Sequence, residues 1–214
     1  VKLSSSVGTA LSELITLGDA VGIYMEKCAD AVAGSFATVY AGGFYSVLNT
    51  ELPQNRLQTT VSVLNPKVIV TSESLLETAK EYFSERKIVT FEDLAKSEPD
   101  YAKLGKIRSH KIDTDPLYIN FTSGSTGTPK GIVVCHRSVI DFIDHFTEIF
   151  GIDNNDVIAN QAPFDFDVSV KDIYSAVKTG ATLVVVPRRM FSAPAELIDF
   201  ICDRRITVMI WAVS

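Results

Sequence analysis

An α/β fold, built as two stacked subdomains with largely parallel sheets, is predicted by three features of this sequence. Short Val- and Ile-rich runs alternate with longer segments of helical periodicity, and Gly and Pro punctuate the joins between them. The composition, 46% hydrophobic and 21% charged over 214 residues, is that of a chain able to bury a core.

The elements follow in order. Residues 6–17 read as a helix that leads to a strand at 20–24. Residues 27–40 place Ala29, Val32, Ala33, Phe36 and Tyr40 on one helical face, and Gly42 and Gly43 stop that helix. A strand at 44–48 comes next, Pro53 opens a helix to Leu64, and 67–71 is again a strand. A helix at 73–84 and a strand at 87–89 complete a first subdomain, residues 1–97. Residues 98–116, charged and polar with neither period, read as a connector. In the second subdomain, residues 117–214, strands at 117–121 and 132–135 flank a loop of small hydroxylated residues. A helix at 138–150 lines up Val139, Phe142, Ile143, Phe146, Ile149 and Phe150, and Gly151 caps it. Strands at 157–160, 182–186 and 207–210 alternate with helices at 169–177 and 193–203.

Composition excludes several classes of function. A net charge of −6 without a basic stripe argues against nucleic acid and against an anionic membrane as partners. The longest apolar stretches, such as 206–213, are far short of the roughly 20 residues of a membrane helix, and no signal-peptide pattern opens the chain. A cytoplasmic location is expected. Cys28, Cys135 and Cys202 are odd in number and widely spaced, as buried free thiols would be. His110, His136 and His145 lack metal-ligand spacing, so no metal site is expected among the side chains.

The chemistry concentrates in YINFTSGSTGTPKGIVV, residues 118–134, where an apolar strand empties into a loop ending in lysine. Gly124, Gly127 and Gly131 let the backbone turn tightly and approach an anion. Backbone N–H groups and the hydroxyls of Thr122, Ser123, Ser125, Thr126 and Thr128 are donors for phosphate oxygens, and Lys130 supplies the opposite charge. The Walker loop of phosphate-loop NTPases needs G-x-x-x-x-G-K-[ST] opening a helix. Here Pro129 precedes Lys130, Gly131 follows it and a strand comes next, which disfavours that reading.

At these residues the chain resembles the adenylate-forming ligases, the superfamily of acyl-CoA synthetases, luciferases and the adenylation domains of nonribosomal peptide synthetases. Its TSGSTGTPKG stretch, residues 122–131, matches their TSGSTGxPKG signature in full. YAGGFYSVLNTELPQNRL (40–57) and APFDFDVSVKDIYSAVKTGATLVVVP (162–187) are similar to two further family segments in the same order. Among these ligases the chain most resembles D-alanine:carrier-protein ligases and amino-acid-activating domains. Acyl-CoA synthetases and a non-catalytic module on the same scaffold are the alternative readings.

The resemblance implies ATP with Mg2+ as cosubstrate, an amino acid as substrate and an acyl or peptidyl carrier protein as acceptor. It implies that residues 122–131 close over the β- and γ-phosphates and are mobile until nucleotide binds, with Lys130 on the leaving pyrophosphate. It implies that Asp167 pairs with the α-ammonium group of the substrate, and that Val168 and Lys171 line the side-chain pocket. Phe166 stands where acyl-CoA synthetases place a histidine, which favours an amino acid over a fatty or aryl acid. Asp165, Asp167 and Ser169 are also candidates for a plain helix cap. Lys171 disfavours D-alanine and either faces an acidic or hydrogen-bonding substrate side chain or pairs locally with Asp172. Val1 is not a methionine and the chain stops just after the strand-like run 206–213, as expected of a piece of the N-terminal domain. On that expectation the catalytic residues lie beyond Ser214, none is assigned within these residues, and the piece alone is inactive.

Overall fold

A computed structural model of the chain describes residues 1–122 and 129–211. They divide into two compact units, Val1–His136 and Arg137–Ser214.

The first unit is organised by a six-stranded sheet in the order β4-β3-β1-β2-β5-β6. The strands are β1 (Ala20–Tyr24), β2 (Phe44–Val47), β3 (Val68–Thr71), β4 (Ile88–Thr90), β5 (Pro116–Thr122) and β6 (Lys130–Cys135). All neighbours are parallel except β5 and β6, which run antiparallel. Every residue of β1 is buried, which is why the strand is a continuous apolar run rather than an alternating one. Its two faces have different partners. Ala20 and Tyr24 pack with Leu57, Val61 and Leu64 of α3 (Gln54–Leu64) and with Ala79 of α4 (Leu76–Tyr82). On the opposite face Ile23 approaches Gly34 of α2 (Ala29–Tyr40), against which Phe91 of α5 (Phe91–Ala95) also lies.

The AGG triplet ends α2 by a specific geometry. Gly42 adopts φ +90°, its N–H donates to the Val39 carbonyl, and the Gly43 N–H donates to the Thr38 carbonyl, the paired bonds of a Schellman motif. Gly43 is then pressed against backbone, since a Cβ there would lie 2.7 Å from the Asp19 carbonyl oxygen.

Three of the differences from the expectations bear on the layout of the fold. The first helix, α1 (Lys2–Leu11), lies earlier than residues 6–17, because its packing face is made of Ser4, Ser5, Ser6 and Gly8 as well as Val7 and Leu11. Small residues let it approach α2 closely, with Gly8 against the Ala37 carbonyl, and they blur the apolar period. The stretch read as a connector holds α6 (Tyr101–Arg108), capped by the Asp100 carboxylate on the Lys103 N–H but burying only Leu104. Finally, β5 and β6 belong to the first sheet, so the division falls after His136 instead of before residue 117. Tyr118 of β5 pairs with Tyr45 of β2, their rings 5.9 Å apart, which ties the hairpin to the first unit.

The second unit carries a parallel three-stranded sheet, β8-β7-β9, of β7 (Val157–Asn160), β8 (Thr182–Val185) and β9 (Val208–Met209). Its helices are α7 (His136–Phe150), α8 (Val168–Thr179) and α9 (Pro194–Asp203). The side chains of β7 alternate: Ile158 packs with Ile152 and Ala176 of α8, while Ala159 packs with Val186 and Leu197 of α9. Among the described residues no helix is long and apolar enough to cross a membrane.

The glycine contacts generate two predictions and a buried histidine a third. Gly43→Ala should lower stability by about 2 kcal/mol through overpacking against backbone. Gly105→Ala, inside α6 with open space around it, should raise stability by about 0.5–1 kcal/mol, both read from urea midpoints. Burial and then the Lys111 ammonium push the His136 imidazole below its ordinary value, against weaker pulls from Asp115 and Asp113. Its Nε2 is buried with no hydrogen-bond partner among the described residues. The folded chain therefore holds this ring neutral where the unfolded chain takes a proton. Stability from this group is complete above its unfolded value of about 6.5 and is lost as pH falls from there through the lower folded value. His136→Asn should flatten the urea midpoint over this interval; an unchanged slope contradicts the assignment.

Candidate functional site

Of the residues predicted to bind phosphate, Thr122 lies on β5 and Lys130 and Gly131 on β6, both in the sheet of the first unit. Because β5 runs parallel to β2, its chain leaves the sheet at the C-terminal edge, where open α/β sheets gather their ligand-binding loops. Thr122 and Lys130 are Cα partners in the last described rung of the β5–β6 pair, and both are exposed. Strands thus flank the predicted loop on both sides, with β6 already begun at Lys130. Ser123, Gly124, Ser125, Thr126, Gly127 and Thr128 lie outside the described residues.

Gly131 has a packing role that composition does not reveal. A Cβ at this position would lie 2.5 Å from Ile119 Cδ1 and 3.3 Å from Phe121 Cε1. The absent side chain lets β5 fold its apolar groups over β6, and so fixes the strand that carries Lys130.

The substrate-segment residues lie in the second unit, again after the C-terminal end of a parallel strand. The chain leaves β7 at Asn160, passes Phe164, which is 8% exposed and so buried, and enters α8 through a tight turn. In that turn the Ser169 hydroxyl donates to the Phe166 carbonyl at 2.7 Å, and the Val170 N–H donates to the Asp167 carbonyl at 3.0 Å. Asp167 holds the N-cap position with helical φ and ψ of −58° and −30°, and its carboxylate makes no capping hydrogen bond. Asp167 and Phe166 are exposed and Val168 is half-buried. A carboxylate here is favoured by the positive end of the helix.

Lys171 has a different environment. Its ammonium pairs with Asp172 Oδ1 at 2.9 Å and donates to the Val168 carbonyl at 3.2 Å. Asp172 Oδ2 accepts from Asn160 Nδ2 at 2.9 Å. This is the local pairing named as the second reading of Lys171. Asn160 was not singled out from the sequence. An Asn ending the run Val-Ile-Ala-Asn reads as a turn residue, and its complete burial is the only signal of a tertiary partner.

The other polar features do not gather at these residues. A depression of about 540 Å3 in the second unit is lined by Asp144, Thr147, Glu148, Asp153, Lys178 and Thr179, among others. It holds none of the predicted site residues, and Lys178 is paired there with Asp144 and Thr147. His145 is exposed, and its imidazole is raised above its ordinary value by the Asp141 carbonyl and then the Asp141 carboxylate. Among the described residues no three His, Cys, Asp or Glu side chains group to hold a metal ion.

The chain is 31% identical to indigoidine synthase of Streptomyces lavendulae over 91% of its length, spanning 15% of that protein. It is 30% identical to the D-alanine--D-alanyl carrier protein ligase of Staphylococcus aureus over 84% of its length, spanning 35% of that protein. Among solved structures, the adenylation domain of a keto acid-selecting nonribosomal peptide synthetase module superposes with a TM-score of 0.84 at 22% identity, covering 98% of this chain and 39% of the other. A four-domain nonribosomal peptide synthetase bound to AMP and glycine gives 0.79 at 22% identity, covering 96% and 15%. These likenesses establish the mixed α/β fold with largely parallel sheets, and the chain spans well under half of each of these relatives. The family model for the AMP-binding enzymes matches residues 2–213, nearly the whole chain, and this protein therefore belongs to the AMP-binding enzyme family.

Proposed function

We propose that the protein carrying this chain uses ATP to activate an amino-acid carboxylate as an acyl adenylate. A carboxylate oxygen attacks the α-phosphorus, the bond to the β-phosphate oxygen breaks, and pyrophosphate leaves. The acyl group then passes to the phosphopantetheine thiol of a carrier protein, releasing AMP. The observation that carries this reading is a pair of motifs, each set after the C-terminal end of a parallel strand. One is the Thr122–Gly131 stretch that carries the exposed Lys130; the other is Asp167, which heads α8 without a capping bond. The likeness to a D-alanine carrier protein ligase supports the carrier-protein acceptor.

In this reading the hydroxyls of Thr122, Ser123, Ser125 and Thr126 and the N–H groups around Gly124, Gly127 and Gly131 donate to phosphate oxygens. Lys130 neutralises the departing pyrophosphate. Mg2+ would arrive with the nucleotide and would supply further positive charge for the departing pyrophosphate beside Lys130. Asp167 receives the substrate ammonium, and Phe166, Val168 and Lys171 border the substrate. A cytoplasmic location fits the use of ATP.

The test is amino-acid-dependent exchange of labelled pyrophosphate into ATP by the longest open reading frame that contains this sequence. Lys130→Ala should slow exchange about 100-fold, the scale of losing one transition-state contact. Asp167→Ala should raise KM for the amino acid with little change in KM for ATP. Exchange driven by fatty or aryl acids alone points instead to an acyl-CoA synthetase. Release of inorganic phosphate points to a phosphate-loop NTPase, and no exchange with any acid to a non-catalytic module.

A further inference from the structure

The contact between α8 and β7 is apolar at Ile158 and Ala176 and becomes polar one step further along the strand. Asn160 follows Ile158 by two residues, so both project to the α8 side of the sheet. There Asn160 Nδ2 donates to Asp172 Oδ2, Asp172 Oδ1 receives the Lys171 ammonium, and the same ammonium donates to the Val168 carbonyl. The Lys171 and Asp172 side chains are only 10% and 2% exposed, and Asn160 is fully buried.

A buried ion pair is a poor source of stability, because desolvation of both charges offsets their attraction. It does constrain geometry, since each charge is tolerable only where its partner meets it. Three linked contacts here converge on the first turn of α8. That turn lacks the usual help, because its N-cap side chain makes no capping bond. The final acceptor, the Val168 carbonyl, is one residue from Asp167.

We propose that Asn160, Asp172 and Lys171 are positioning residues, which pin the first turn of α8 to the end of β7 and thereby aim the Asp167 carboxylate. The proposal rests on the reading of Asp167 as the partner of the substrate ammonium. The strand is fixed by two parallel neighbours, Asn160 transmits that fixity to Asp172, and Lys171 carries it to the helix start. The Lys171 ammonium acts inside the chain, so an acidic substrate side chain would have to compete with Asp172 for it.

The experiment uses the longest open reading frame that contains this sequence, with Asn160→Ser and Asp172→Asn. Asn160→Ser leaves the ion pair intact and so remains informative where Asp172→Asn, which strands a buried ammonium, fails to fold. In pyrophosphate exchange, KM for the preferred amino acid should rise about tenfold or more while KM for ATP stays within about twofold. Peptides covering residues 166–172 should exchange amide hydrogens at least about tenfold faster, with those from β8 unchanged. An amino-acid KM that stays put, or that rises equally with the KM for ATP, overturns the proposal. If the parent shows no exchange with any amino acid, the functional reading fails separately. Amide exchange then decides the anchor alone: faster exchange confined to 166–172 in Asn160→Ser supports it, and unchanged rates overturn it.

Discussion

Parallel pairing is the constraint on which the rest of this molecule depends. Parallel neighbours cannot be joined by a tight turn, so each strand must be followed by a segment that climbs over a sheet face and returns. The chain meets this demand with α2 between β1 and β2, α3 between β2 and β3, and α8 between β7 and β8. The same demand brings the carboxyl ends of all the parallel strands to one edge of their sheet. Thr122 at the end of β5 and the turn after Asn160 at the end of β7 occupy such edges, each within its own unit. Among the described strands β5 and β6 alone pair antiparallel, and they flank the glycine- and hydroxyl-rich run in the sequence.

Much of the scaffold was legible in the sequence, and what was missed shares a physical cause. Runs such as Ala20–Tyr24 and Val68–Thr71 are buried on both faces and so carry an unbroken apolar signal. Gly42 and Gly151 mark helix ends because a left-handed residue there costs least when it is glycine. The start of α1 was hidden because serines and a glycine, not large apolar groups, make its close contact with α2. Helix α6 was hidden because Leu104 alone of its residues is buried, leaving no period to detect. Sheet membership of β5 and β6 is a question of which strand they pair with, and a local pattern does not encode it.

The candidate site divides along the same line. Lys130 and Asp167 stand out locally, one by its glycine-rich run and the other by the motif around it. The environment of Lys171 depends on Asn160, eleven residues upstream on a different element, and no periodicity links the two. Gly131 is a parallel case. Its sequence context suggests a residue shaped for an anion, while its closest neighbours are the hydrocarbon ends of Ile119 and Phe121.

The alternation along β7 also determines what can be moved as a piece. Shifted by one residue, the strand would turn Asn160 toward Leu197 and Val186 and present Ala159 to Asp172, leaving an amide and a charge in apolar surroundings. The polar end of the strand is therefore a register lock as well as a contact. For grafting between related enzymes, α8 and the Asp167 turn are not separable from β7: the smallest transferable cassette begins at Val157, and a graft that starts at the helix would leave its orientation unspecified.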